Sequence, residues 1–194
     1  MAKSTLELPI IPFASQADFE QWLEDNHATL TGLWLKIAKK ESGHTSVNYA
    51  QALDVALCFG WIDGQKNKFD AEYFLQKFTP RRARSPWSKI NLDKVAVLIA
   101  NGKMREAGLR EIERAKADGR WAAAYESQRT MTVPDDFQAA LDKNPAAQLF
   151  FDQLNSVNRY AILYRITTAK KADTRQKRIE TFIVMLNEGK KIYN

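Results

Sequence analysis

Three arginines, Arg81, Arg82 and Arg84, lie between Pro80, which can end a strand, and a Ser85-Pro86 pair, which can begin a helix. Guanidinium forks beside free helix amides favour a phosphate or carboxylate, because both offer N–H donors and positive potential to one planar anion. Trp61 and Trp87 flank these arginines, and ring faces attract cations and stack on planar groups. The stretch from Leu57 to Asn91 gathers seven aromatics, seven cations and two of the chain's five tryptophans into 35 residues, a local excess that makes it the first place to seek a ligand. The candidate binding set is Trp61, Asp63, Arg81, Arg82, Arg84, Ser85, Trp87 and Asn91. Two readings stay open. The set forms an anion receptor, or the arginines sit in an exposed loop and pair with Glu72 or Asp70 while the tryptophans wedge a hairpin against helices.

Asp63 is the carboxylate with most chemical interest, since it lies between Trp61 and the cationic stretch, where it can act as a base or orient an arginine. Asp before Gly is also ordinary turn chemistry, so Asp63-Gly64 reads equally as a turn. Two histidines, His27 and His44, and a single cysteine, Cys58, fall short of the ligand count of a zinc site, and no metal or cofactor is expected. The chain has no nucleophile elbow, phosphate-binding glycine loop or dinucleotide fingerprint. A binding role is therefore favoured over catalysis. The alternatives are an enzyme acting on an anionic small molecule, with Asp63 as acid or base and the arginines as clamp, and a weak nucleic-acid-binding protein.

The net charge of +6 divides as +3 through Arg120 and +3 after it, a diffuse excess that suits an anionic small molecule or an acidic protein surface better than a dedicated nucleic-acid face. Hydrophobic residues make up 45% of the chain, enough for a proper core. Cys58 sits in the apolar run VALCF and reads as a buried, inert thiol. No stretch reaches the roughly 18 apolar residues of a membrane helix, so no membrane insertion is expected. The start, MAKSTLELPIIPFAS, lacks the make-up of a signal peptide, although cleavage near Ala14 is an alternative; the expectation is a soluble, cytoplasmic protein.

The elements that must position these residues follow from periodicity and caps. Gln16 to Asn26 has the spacing of a short helix with Phe19, Trp22 and Leu23 on one side, and GLWLKIAKK alternates as a strand with Leu33, Leu35 and Ile37 on one face. Asn48 and Gln51 can cap a helix running to Phe59, ended by Gly60. QKNKF and YFLQKFT form a hairpin around Asp70 to Glu72, with Phe74, Gln76 and Phe78 facing one way. A helix starting at Ser85-Pro86, or capped by Asn91, runs to Gly102, and another ends at Gly119. From Pro134 onward the periodicity is helical only: Pro134 to Lys143, Pro145 to Lys171 with a break near Asn155-Ser156, and Thr174 to Glu188. The fold class is α+β, a small antiparallel sheet flanked by helices and followed by an all-helical portion. The domains read as 1–120, a linker at 121–133, and 134–194. A second basic group, Arg159, Arg165, Lys170, Lys171, Arg175, Lys177 and Arg178, suits helix ends, where cations offset the dipole; the alternative is a partner surface.

Several of these segments carry a resemblance. AKKESG, ALCFGWIDG, FTPRRARSPWSKIN, GKMREAG, ADGRW and TTAKKADTRQKRI together resemble the YdeI/OmpD-associated bacterial family, also described as bacteriocin-protection proteins, over nearly the whole chain. Ahead of the Ala-Lys motif this chain reads Tyr164-Arg165-Ile166, where the family pairs Trp with Ile. The resemblance implies a mixed N-terminal portion, a helical C-terminal portion and a link to tolerance of cationic antimicrobial peptides or envelope stress; it brings no catalytic residue. A pI near 9.4 argues against direct capture of cationic peptides, which the long-range field repels.

Overall fold

The computed structural model describes residues 8–194. MAKSTLE, the first part of the stretch weighed above as a leader, lies outside the described residues. The described residues form two compact units, one holding those through Trp87 together with Asn91–Ala123, the other Ser88–Ile90 together with Ala124–Asn194. The α+β class with a helical C-terminal region holds.

In the first unit the strands are β1 (Ile10–Pro12), β2 (Leu33–Ala38), β3 (Trp61–Lys68) and β4 (Tyr73–Pro80), ordered β1-β2-β4-β3. β2, β4 and β3 pair antiparallel, whereas β1 pairs parallel with β2, making the sheet mixed. The sequence reading has no counterpart to β1, because IIP is too short and too proline-rich to show a period. Leu33, Leu35 and Ile37 are buried and register against Phe78, Gln76 and Phe74. Helix α1 (Gln16–Asn26) starts at a capping box in which Ser15 and Asp18 exchange bonds of 3.0 and 3.2 Å, and it buries Phe19 and Leu23 completely. Phe19 then packs on Phe13 and Phe78 to form the aromatic centre of this core.

Helix α2 (Tyr49–Cys58) is capped by Asn48 and Gln51 as the sequence indicates, and Gly60 at φ +74° turns the chain into β3. Helices α3 (Lys89–Ala100) and α4 (Glu106–Ala117) follow. The N–H of Arg105 donates to the Cys58 carbonyl at 3.1 Å, and Gly108 then approaches so closely that an added Cβ would stand 2.3 Å from that same oxygen. Only a residue without a side chain lets α4 cross the end of α2 there.

In the second unit, α5 (Asp135–Asp142), α6 (Pro145–Gln153), α7 (Ser156–Thr167) and α8 (Ala172–Asn187) match the three helical stretches expected, including the break. Asn155 caps α7 by accepting from the Asn158 amide at 2.9 Å, which explains why the chain stops and restarts. Phe137, Leu141, Phe151, Ile162, Ile166, Ile179 and Leu186 form one core. Arg175 clamps both oxygens of Asp136 at 2.6 and 2.8 Å and donates to the Ile166 carbonyl, while Arg178 donates to the Arg165 carbonyl. These cations thus close the C-terminal end of α7. Among the described residues no helix is long and apolar enough to cross a membrane.

Three local expectations are corrected. Asp63-Gly64 is no turn but lies inside β3, where a bulge sets Gly64 and Gln65 against Lys77 alone on β4. The buried Gln76 amide donates to the Gly64 and Gln65 carbonyls at 2.9 and 3.3 Å and so holds the strand extended through the irregularity. Ser85-Pro86 does not start α3, which begins at Lys89, because Ser88 bridges to Tyr125 and the Lys89 N–H donates to the Tyr125 carbonyl. Asn91 lies within α3 and is buried, so it is not a cap.

Two outcomes test this packing. Gly108→Ala should lower stability by about 3 kcal/mol, since a Cβ overlaps the Cys58 carbonyl; a urea midpoint equal to that of the parent would show that α4 has room to shift. Burial lifts the Cys58 thiol from 9.0 to about 11. The unfolded thiol ionises first, so stability should fall as pH rises from 9.0 toward 11, and the fall should be shallower in Cys58→Ala.

Candidate functional site

The arginine segment leaves β4 at Pro80 and makes a tight turn. Ser85 closes it, its hydroxyl accepting from the Arg82 N–H at 3.0 Å while its own N–H donates to the Arg82 carbonyl at 2.9 Å. Arg82 and Arg84 point into solvent from this turn. Arg81 does the opposite. It is 5% exposed, its guanidinium lies 3.5 Å from the centre of the Trp87 ring, and its Nη1 donates to the Pro86 carbonyl at 3.2 Å. A buried cation so placed gains from both the ring face and the carbonyl dipole.

A residue absent from the expected set completes the arrangement. Arg120 is also buried, and its Nη1 donates to the Ser85 carbonyl at 3.0 Å. Its Nε reaches both oxygens of Asp118 at 2.8 and 2.7 Å, and these hydrogen bonds hold the Asp118 carboxyl below its ordinary range. Trp121 follows, its ring 5.2 Å from that of Trp87. Two arginines therefore grip adjacent carbonyls, Ser85 and Pro86, from inside the fold. The Arg120 Nη2 and the Trp87 Nε1 are buried and have no hydrogen-bond acceptor among the described residues. The signal for Arg120 was present in ADGRW, an Arg-Trp pair placed by the left-handed Gly119 at φ +78°.

The remaining candidates have other partners. Trp61 is buried, donates its indole N–H to the His27 carbonyl at 3.2 Å and meets Trp22 edge-on. Asp63 accepts from the Tyr49 hydroxyl at 2.9 Å. Neither Glu72 nor Asp70 engages the arginines: Glu72 pairs with His44 at 3.0 Å, and Asp70 accepts the Glu72 and Tyr73 amides. Among the described residues no group of three acidic, histidine or cysteine side chains could hold a metal ion.

A second basic surface lies on the sheet face opposite the core. Trp34 and Lys77 are register partners there, with the Lys77 amine 5.7 Å from the Trp34 ring, and the Lys36 amine sits 4.1 Å from Tyr73 and 4.5 Å from Phe69.

Residues 11–111 match the family described as "Domain of unknown function (DUF8412)", and residues 130–189 match the family described as "Bacteriocin-protection, YdeI or OmpD-Associated". The chain belongs to the DUF8412 family and carries a YdeI/OmpD-associated segment. Searches of the curated proteins and of the solved structures found no match. The family resemblance seen in the motifs thus holds for the helical segment, where TTAKKADTRQKRI lies, while ALCFGWIDG, FTPRRARSPWSKIN and GKMREAG fall in the DUF8412 stretch. Of the residues just described, Arg81, Ser85 and Trp87 are within the DUF8412 match; Arg120 and Trp121 lie between the two matched stretches.

Removing Arg120 tests the arrangement. In Arg120→Ala the Asp118 carboxyl should titrate back up toward its ordinary 3.8, followed by NMR, and the Ser85 carbonyl should lose its donor, at about 1–3 kcal/mol in stability. An unmoved Asp118 titration would show that the Arg120 contacts do not persist in solution.

Proposed function

We propose that this protein works by recognising an anion at the turn from Arg81 to Trp87, as a ligand- or partner-binding component of stress or antimicrobial-peptide tolerance rather than as a catalyst. The observation that carries the reading is the Arg120 Nη2, a cationic N–H buried without an acceptor among the described residues, with the Trp87 Nε1 in the same condition. An unanswered buried donor on a charged group is costly, and a phosphate or carboxylate oxygen is the acceptor that best matches it. Arg82 and Arg84, exposed on the same turn, add the long-range attraction, and the grip of Arg81 and Arg120 on its carbonyls keeps the turn from having to order on binding. The tolerance role rests on the YdeI/OmpD-associated match alone.

Thermal-shift and calorimetric screening of inorganic phosphate, nucleotides, phosphosugars and dicarboxylates tests it. A stabilising anion should emerge, Arg82→Ala with Arg84→Ala should weaken it by roughly tenfold, and the ligand-free unfolding midpoint of that variant should stay where it is. A broad anion panel without a single stabilising compound would sink the reading.

The sheet face with Trp34, Lys36, Tyr73 and Lys77 favours a second reading, single-stranded nucleic acid held by cations and ring stacking. Oligonucleotide affinity should then drop steeply with salt and fall again in Lys36→Gln with Lys77→Gln. Salt-independent binding, or none, excludes it.

A further inference from the structure

Among the arginines of the basic group on the C-terminal helices, Arg159 stands apart. Arg165, Arg175 and Arg178 are engaged at or near the end of α7, whereas Arg159 lies in the first turns of that helix. Its guanidinium sits 4.8 Å from the centre of the Phe151 ring and pairs with no carboxylate among the described residues. It lines a cavity of about 530 Å³ within the second unit. The apolar part of that lining comes from Met131, Val133, Leu154 and Leu163, continuous with the core of the unit. The Tyr160 ring forms another wall, its hydroxyl already committed to the Glu126 carbonyl at 3.3 Å. Arg159 is the only charged residue of the lining, and no acid faces it there.

These features select a ligand by elimination. The volume falls in the range of roughly 300–1,000 Å³ typical of small-molecule sites. Gln128, Thr132 and Ser156 make part of the lining polar, but inorganic phosphate would leave the apolar surface of Met131, Val133, Leu154 and Leu163 without a partner, while an uncompensated guanidinium in the lining disfavours a purely apolar guest. Both conditions are met by a molecule with an apolar body and one negative head, and a guanidinium fork fits a carboxylate by two parallel hydrogen bonds. We infer that the YdeI/OmpD-associated unit carries a binding site for a monocarboxylate with an acyl or aryl body, its head on Arg159 and its body against Leu154 and Leu163. This site shares no residue with the arginine turn of the first unit, so either proposal can fail alone.

Calorimetric titration of the full chain with octanoate, 1-octanol and acetate tests the assignment. Octanoate should bind saturably at one site, with octanol and acetate each weaker by roughly tenfold or more, because each lacks one of the two features. Arg159→Gln should lower octanoate affinity by roughly tenfold and leave octanol unchanged. Thr132→Trp, at an exposed lining position, should obstruct the cavity and weaken octanoate without moving the unfolding midpoint, which keeps the test open should Arg159→Gln disturb the Phe151 packing. Equal affinity for octanol and octanoate, octanoate binding that survives both substitutions, or no saturable octanoate binding would overturn the assignment.

Discussion

A guanidinium taken out of water must find acceptors, and in the first unit that requirement shapes the segment of greatest chemical interest. Arg81 and Arg120 enter the fold from positions far apart in the chain and meet consecutive carbonyls, Pro86 and Ser85. Because both carbonyls are drawn inward, the residues between β4 and α3 form a fixed turn instead of a helix start. Arg82 and Arg84 stay outside, since a short loop cannot bury two further cations beside Arg81 and Arg120 without acceptors for them. Trp87 supplies the ring face under Arg81, and Trp121 packs on Trp87.

The two units solve the burial problem differently. The first stacks helices on a four-stranded sheet, and its tightest constraint is geometric, the passage of Gly108 over the end of α2. The second has no sheet and relies on facing apolar stripes, with Arg175 and Asp136 joining α8 to α5 and the Asn158 amide tying in the Tyr193 backbone by bonds of 3.1 and 2.9 Å. The family matches follow the same division, DUF8412 on the first and the YdeI/OmpD-associated segment on the second. A binding function assigned to one unit therefore carries no implication for the other.

Most elements were legible in the linear pattern because their signals are local. The capping pair Asn48 and Gln51, the alternation through Leu33, Leu35 and Ile37, and the Asn155 break all act over four residues or fewer. The misread positions depended on distant partners. Asp63-Gly64 has turn composition, yet ladder pairing with Phe78 and the Gln76 amide keep it extended. Ser85-Pro86 has the composition of a helix start, yet the Ser88 bridge to Tyr125 delays α3 to Lys89. β1 passed unnoticed because three residues carry no period.

For the candidate site, composition alone located the stretch from Leu57 to Asn91 and its arginines, since residue type and crowding are properties of the chain itself. Which arginine faces inward, that Arg120 joins Arg81 at the turn, and that Trp61 belongs to the core were decided only in three dimensions. Burial of a cation depends on whether a carbonyl or a ring is waiting for it, and those acceptors lie 5 residues away for Arg81 and 35 away for Arg120. The sequence by itself determined the cations, the helices and the absence of a catalytic motif; the tertiary structure decided which cations are buried anchors and which stay exposed, because desolvation and pairing exist only once distant segments meet.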